Sequence, residues 1–164
     1  MSVSRDIVQS YIRPRRVIRR HLARGVSEGR LFGFLMVACV LVFVAQWPRL
    51  SREAYFDPSI PYEGRRAAAL WAWIFVAPLL FYLIAWVSYL LARIFGGRGS
   101  AMGARLALFW ALLVVTPLWL LHGAVAGFIG PGVQANAVGA VLLLALFWVW
   151  ISGLIETQKR GMDE

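Results

Sequence analysis

One lysine, one cysteine and two histidines are present in 164 residues, and each shortage removes a class of chemistry. Cys39 has no partner for a disulfide and no companions for a cysteine-rich zinc site, so it is read as a core or lipid-facing side chain. No Asp, Glu or Lys lies inside a long apolar run. Paired carboxylates, a nucleophile with its base and a cluster of metal ligands are therefore missing, and no catalytic residue, metal or cofactor is expected.

What the chain has instead is apolar surface and arginine. Aliphatic and aromatic residues make up 60% and charged residues 15%, whereas soluble domains average about 45–50% and about 25%. The net charge of +9 comes from sixteen arginines and one lysine against eight acids, and these charges sit outside the apolar runs. That segregation is what a lipid solvent requires. The first run starts at Leu31 after eight arginines and ends in "VAQWPRL" without a small-residue cleavage pattern, so it is expected to be retained rather than removed as a signal peptide.

A helix needs about 20 apolar residues to cross the hydrocarbon core. The uncharged runs give four spans, about 31–48, 67–93, 106–128 and 134–155. The last two form one uncharged stretch divided by "GPG" at Gly130 to Gly132, because an unbroken helix of that length would far exceed a bilayer. The expected fold is thus an all-α, polytopic four-helix membrane bundle over 31–155. A basic amphipathic lead-in at 1–30 precedes it and a short tail at 156–164 follows.

Arginine placement gives the orientation, since short loops rich in Lys and Arg stay cytoplasmic. The lead-in, the 93–105 loop and the tail with Lys159 and Arg160 hold thirteen positive residues, against four at Arg49, Arg52, Arg65 and Arg66 on the other face. Both termini are expected to be cytoplasmic, which puts His21 and His122 across the membrane from each other, unable to share a metal ion. Trp47, Trp71 and Trp73 are expected at the outer interface, and Trp86, Tyr89, Trp110, Trp148 and Trp150 toward the inner one.

The stretch "IFGGRGSAMGARLALFW" tests whether glycines here cradle a phosphate. Gly97, Gly99 and Gly103 are spaced G-x-G-x-x-x-G after an apolar helix, which fits neither the dinucleotide fingerprint nor the P-loop, and the P-loop lysine is absent. Gly96, Gly97 and Gly99 are read as a hairpin turn, with Ser100 as N-cap of the third span. Arg93, Arg98 and Arg105 hold that turn at anionic headgroups.

"FGGRGSAMGARLALFWALLVVTPLWLL" resembles the hairpin of the Yip family, the Ypt/Rab-interacting-protein type of integral membrane domain, with paired glycines, a small polar turn and a span with a central proline. "YIRPRRVIRRHLARGVSEGRL" is similar to that family's amphipathic lead-in, and "FWVWISGLIETQ" to its final span. The resemblance runs from about Tyr11 to Gln158 and implies an all-helical membrane protein without catalytic residues. Family members usually have five spans, one more than is found here. Eukaryotic members are associated with Rab GTPases and vesicle traffic, whereas bacterial members are mostly without an assigned activity. Arginine in place of lysine fits a GC-rich bacterial genome, hence a bacterial inner membrane.

Four other features bear on function. In the lead-in, Val3, Ile7, Tyr11, Pro14, Ile18 and Leu22 recur at helical spacing, with Val8, Ile12 and Val17 beside them. The expected result is an interfacial helix restarted at Pro14, with Arg13, Arg15, Arg16, Arg19, Arg20 and Arg24 as its membrane-surface or partner contact. Nucleic acid is not expected, because no recognition fold accompanies the charge. Pro78 and Pro117 fall near the middle of spans two and three, where they kink the helices or, in the sharper reading, mark a transport site. His122 is an ionisable group within a span, read either as a packing residue or as a polar site. Gly123 and Gly127 form G-x-x-x-G and are expected to pack against Ala135 and Gly139 of span four, with a homodimer contact as the alternative.

The sequence therefore predicts a non-catalytic Yip-like integral membrane protein. It organises the bilayer, docks to other membrane proteins or associates with itself. A small transporter or channel using the proline-kinked spans, and an accessory subunit of a larger energy-transducing complex, are the alternatives.

Overall fold

The computed structural model describes residues 3–159, and these are all-helical, with no strand among them. The first two residues and 160–164, including Arg160 of the expected tail, lie outside the described residues. Two short helices, α1 (Val3–Ile12) and α2 (Pro14–Ala23), form a hairpin about Arg13. Pro14 occupies the first position of α2, where a missing N–H costs nothing.

Three helical rods are long and apolar enough to cross a membrane, so the chain reads as an integral membrane protein. The first is α3 (Glu28–Phe56), N-capped by Ser27. The second joins α4 (Tyr62–Trp71) to α5 (Ala77–Ile94) through a widened π turn at Ala72–Val76. That turn directly precedes Pro78, and the looser hydrogen-bonding ring accommodates a residue with no N–H to donate. The third is α8 (Val133–Lys159). Between the second and third, α6 (Ala101–Val114) and α7 (Thr116–Phe128) meet at a 43° bend and count as a fourth crossing only if taken as one broken span. Pro117 lies just past the bend, and the Thr116 hydroxyl donates to the Leu113 carbonyl (2.8 Å), the acceptor that the proline leaves unused.

The start of α3 and α6 and the finish of α5 and α8 share one end with the α1–α2 hairpin. Arg105 pairs with Glu28, Gly99 N–H donates to Gln158 Oε1 (2.9 Å), and Arg19 pairs with Glu156 (2.7 Å). The opposite end carries the α3–α4 loop and the Gly130–Gly132 turn. At the hairpin end α5 terminates in a left-handed Gly96 (φ +84°), with Gly96 N–H donating to the Arg93 carbonyl and Gly97 N–H to the Ala92 carbonyl. This paired closure satisfies carbonyls that a helix end would leave open.

The core is built around α6, with Val17 and Ile18 of α2, Leu31, Leu35 and Cys39 of α3, Ala85 of α5 and Val149 of α8 packed into the same cluster. Every residue from Leu106 to Val115 is buried, and α6 is in contact with α1, α2, α3, α5 and α8. Outward faces are apolar, with Leu79 74% and Leu144 71% exposed, a distribution that needs lipid rather than water around it. Trp110, expected toward the inner interface, is 0% exposed and bonded to Ser10 of the lead-in, so its indole meets protein on every side.

A correction concerns Gly123 and Gly127. They face α3 rather than span four: a Cβ at Gly123 would lie 1.8 Å from the Ala45 carbonyl oxygen, and one at Gly127 would lie 2.3 Å from Pro48 Cβ. The bend before α7 turns its glycine stripe toward α3, where backbones meet without side chains between them. Gly139 does face α7, with His122 Nε2 3.4 Å from the place a Cβ would occupy.

Candidate functional site

At the hairpin end, the lead-in is docked through a mixed face, with Val17 and Ile18 fully buried in the core, Ile7, Tyr11 and Leu22 packed on it, and three polar side chains among them. Asp6, Ser10 and His21 are buried, while Val8 is 65% and Ile12 77% exposed. Ser10 Oγ donates to the Asp6 carbonyl (2.8 Å) and accepts from Trp110 Nε1 (2.9 Å), so a buried indole N–H of α6 is satisfied by α1. Tyr11 reaches farther along, its hydroxyl donating to the Val114 carbonyl at 2.6 Å. Burial raises the Tyr11 pKa, which keeps that phenol a donor.

His21 lies 4.4 Å from the Trp110 ring and 5.8 Å from the Phe34 ring. Its pKa is lowered chiefly by burial, with Arg24, Arg30 and Arg20 adding to the effect and Asp6 opposing it. Its Nε2 is 3.9 Å from Asp6 Oδ2 and makes no hydrogen bond, so the pair is a neutral imidazole beside a carboxylate, not an ion pair at neutral pH. The carboxylate is held by Arg20, whose Nη2 donates to Asp6 Oδ1 (2.9 Å) and Gln9 Oε1 (2.6 Å). Arg20 therefore turns inward, correcting its expected place on the contact surface. Arg13, Arg15, Arg16, Arg19 and Arg24 remain exposed. Arg13, Arg15, Arg16 and Arg19 line one open groove with Ile12, Trp148 and Ser152.

The hairpin turn between α5 and α6 is a docking turn for α8. A Cβ at Gly99 would stand 2.4 Å from the Thr157 carbonyl oxygen, and one at Gly97 2.7 Å from Gln158 Oε1. Ser100 Oγ accepts from Gly103 N–H (3.1 Å) as the N-cap of α6.

At the opposite end, α3 continues past Pro48 to Phe56 and carries Arg49, Arg52 and Glu53 on a helix rather than a loop. These residues line a cleft of about 610 Å³ with Phe56, with His122 and Ala126 of α7, and with Pro131, Ala135 and Asn136. Arg49 is engaged by Glu53 (2.7 Å) and Gln46 (3.0 and 3.2 Å), and Glu53 also meets Arg65 at 3.7 Å. Nearby, Asp57 has its pKa lowered by the Ser59 hydroxyl hydrogen bond and by Arg65.

Sequence reasoning gave His122 and the lead-in arginines but missed two assemblies. The Asp6, Ser10, His21 and Trp110 cluster left only one trace, Asp6 and Ser10 at four-residue spacing on one side of α1. The cleft left another: Arg49, Arg52, Glu53 and Phe56 have helical spacing, a signal that α3 runs past the expected end at 48. No cluster of three or more His, Cys, Asp or Glu residues able to hold a metal exists among the described residues. Comparison with known proteins finds no match: no family model, no curated protein and no solved structure corresponds to this chain.

Proposed function

We propose that this chain is a non-catalytic, Yip-like integral membrane protein that organises anionic lipid around a rigid basic wedge. It crosses the bilayer four times, with both termini cytoplasmic and α1–α2 immersed at the inner headgroup boundary. The carrying observation is the outer face of the docked hairpin: Val17, Ile18, Asp6, Ser10 and His21 are buried against the bundle, which leaves Val8, Ile12 and a row of arginines facing outward. At a bilayer, apolar side chains enter the acyl boundary as arginine stems reach back to phosphates, each contributing about 1 kcal/mol with an anionic leaflet.

Two features weigh against transport through the bend at Pro117. The Leu113 carbonyl is occupied by Thr116 and the Val114 carbonyl by Tyr11, so the acceptors a substrate would use are engaged. The core helix α6 is also packed on all sides.

The test is a nitroxide at position 12 in a Cys39→Ala background, reconstituted in nanodiscs. The label is expected to be reached by oxygen and shielded from an aqueous nickel chelate. Exchange of Arg13, Arg15 and Arg16 for Gln is expected to lower the ratio of phosphatidylglycerol to phosphatidylcholine retained by the protein. A water-exposed label with an unchanged lipid ratio refutes the reading.

A further inference from the structure

The cleft at the opposite end from the hairpin has the chemistry of an anion site, and neither the lead-in wedge nor the packing of the bundle uses it. Three polar side chains enter it from three helices: Arg52 from α3, His122 from α7 and Asn136 from α8. Each can donate hydrogen bonds. The only carboxylate in the lining is Glu53, and Arg49 and Arg65 already hold it. Among the described residues Arg52 has no ion pair; it lies 4.9 Å over the Phe56 ring and has one long contact to the Gly127 carbonyl (3.4 Å). His122 makes no hydrogen bond among the described residues, and its only ring neighbour is Trp119 at 6.2 Å. The cleft thus holds a guanidinium that no carboxylate among the described residues pairs with, and two side chains beside it that can donate hydrogen bonds.

The backbone makes room for these groups. Gly130, at φ +103°, stands where a Cβ would lie 2.7 Å from Arg52 Nη2, and Gly139 lies beside the His122 ring, 3.4 Å from Nε2 to the place of a Cβ. The rest of the lining, Phe56, Ala126, Pro131 and Ala135, is apolar. Along α3 the site begins where the uncharged run ends at Arg49, which is the depth at which a bilayer presents phosphate. A volume of about 610 Å³ is within the range of sites that hold one headgroup-sized molecule.

We propose that this cleft binds one phosphate oxyanion, with Arg52 as the charged ligand and His122 and Asn136 as hydrogen-bond donors, and that a phospholipid headgroup supplies it. The apolar wall then takes the first part of the lipid's chains. The inference is independent of the lead-in wedge, since it uses different residues at the other end of the bundle.

The experiment is native mass spectrometry of the delipidated protein titrated with phosphatidylglycerol, phosphatidylcholine and, in a separate arm, inorganic phosphate. One phosphatidylglycerol is expected to bind, with Arg52→Gln weakening it about tenfold or more. Arg52 also stacks on Phe56, so His122→Ala, which leaves that contact intact, serves as the second variant and is expected to weaken binding severalfold. Arg66→Gln, at the same end but outside the cleft, is expected to change nothing. Protection by inorganic phosphate alone, lost in both cleft variants, supports the oxyanion site and overturns the lipid as its source. Binding unchanged in both cleft variants, or no binding in either arm, overturns the site itself.

Discussion

Replacing Ser10 by alanine probes the contact that ties the lead-in to the core. Ser10 is fully buried and accepts the Trp110 indole N–H at 2.9 Å, so Ser10→Ala leaves a buried donor without a partner. That costs about 1–3 kcal/mol, offset by up to about 0.5 kcal/mol because alanine is the better helix former. The bond that Ser10 Oγ donates to the Asp6 carbonyl adds little, since that carbonyl is also a helix acceptor. Net loss should be about 1–2 kcal/mol, or roughly five- to thirtyfold in the docking equilibrium of α1–α2. The loss is local, because insertion of the apolar rods does not depend on this hydrogen bond. Hydrogen exchange in nanodiscs is therefore expected to speed up by that factor over residues 4–12 and to stay unchanged in α3 and α8. Trp110→Phe removes the donor, so the double variant should be less destabilised than the two singles added together, by about 1 kcal/mol. Unchanged exchange in α1, or an equal rise throughout the bundle, refutes the claim that a polar contact docks the hairpin.

Three further outcomes are expected. Gly123→Ala should lower the melting temperature in detergent, at a cost of about 1–3 kcal/mol for overpacking, because its Cβ would fall 1.8 Å from the Ala45 carbonyl; Gly33→Ala, with nothing within 4 Å, should be neutral or stabilising, and equal behaviour of the two variants would contradict the α3–α7 contact. The lowered His21 pKa means that the unfolded or undocked state binds the proton more tightly, so docking is at full strength above about pH 6.5 and weakens as pH falls below it. Fluorescence of Trp110, in a background with the other tryptophans replaced, should report this loss; a His21→Gln variant with the same pH profile would remove His21 as its origin. Finally, Glu156→Gln should cost less than about 1 kcal/mol, since Arg19 is largely exposed and solvent screens the pair. A larger melting shift would mean that the hairpin is held by charge rather than by the Trp110 contact.

Much of the architecture was legible because lipid leaves a chain few options. An uncharged run long enough to cross must be helical, so the apolar stretches near 31–48, 67–93 and 134–155 could be placed from composition alone. Local chemistry was equally readable: Gly96 closes α5, Ser100 caps α6 and Pro117 sits at a bend because each acts on neighbours within one turn. The cleft was legible only in part. His122 stood out as an ionisable residue in an apolar run, but Arg52 and Asn136 are far from it in sequence and entered the same site only when three helices came together.

Sequence by itself determined that this is a helical chain suited to a membrane, with its arginines kept out of the apolar runs. Tertiary structure alone decided which helix is central, that the lead-in turns Asp6, Ser10 and His21 inward, and that Gly123 and Gly127 meet α3 rather than α8. The reason is physical. In lipid, apolar side chains gain little by facing one another, so hydrophobicity marks a span without naming its neighbour. Neighbours are chosen by close backbone approach and by single polar contacts, and both depend on where the 43° bend points the chain.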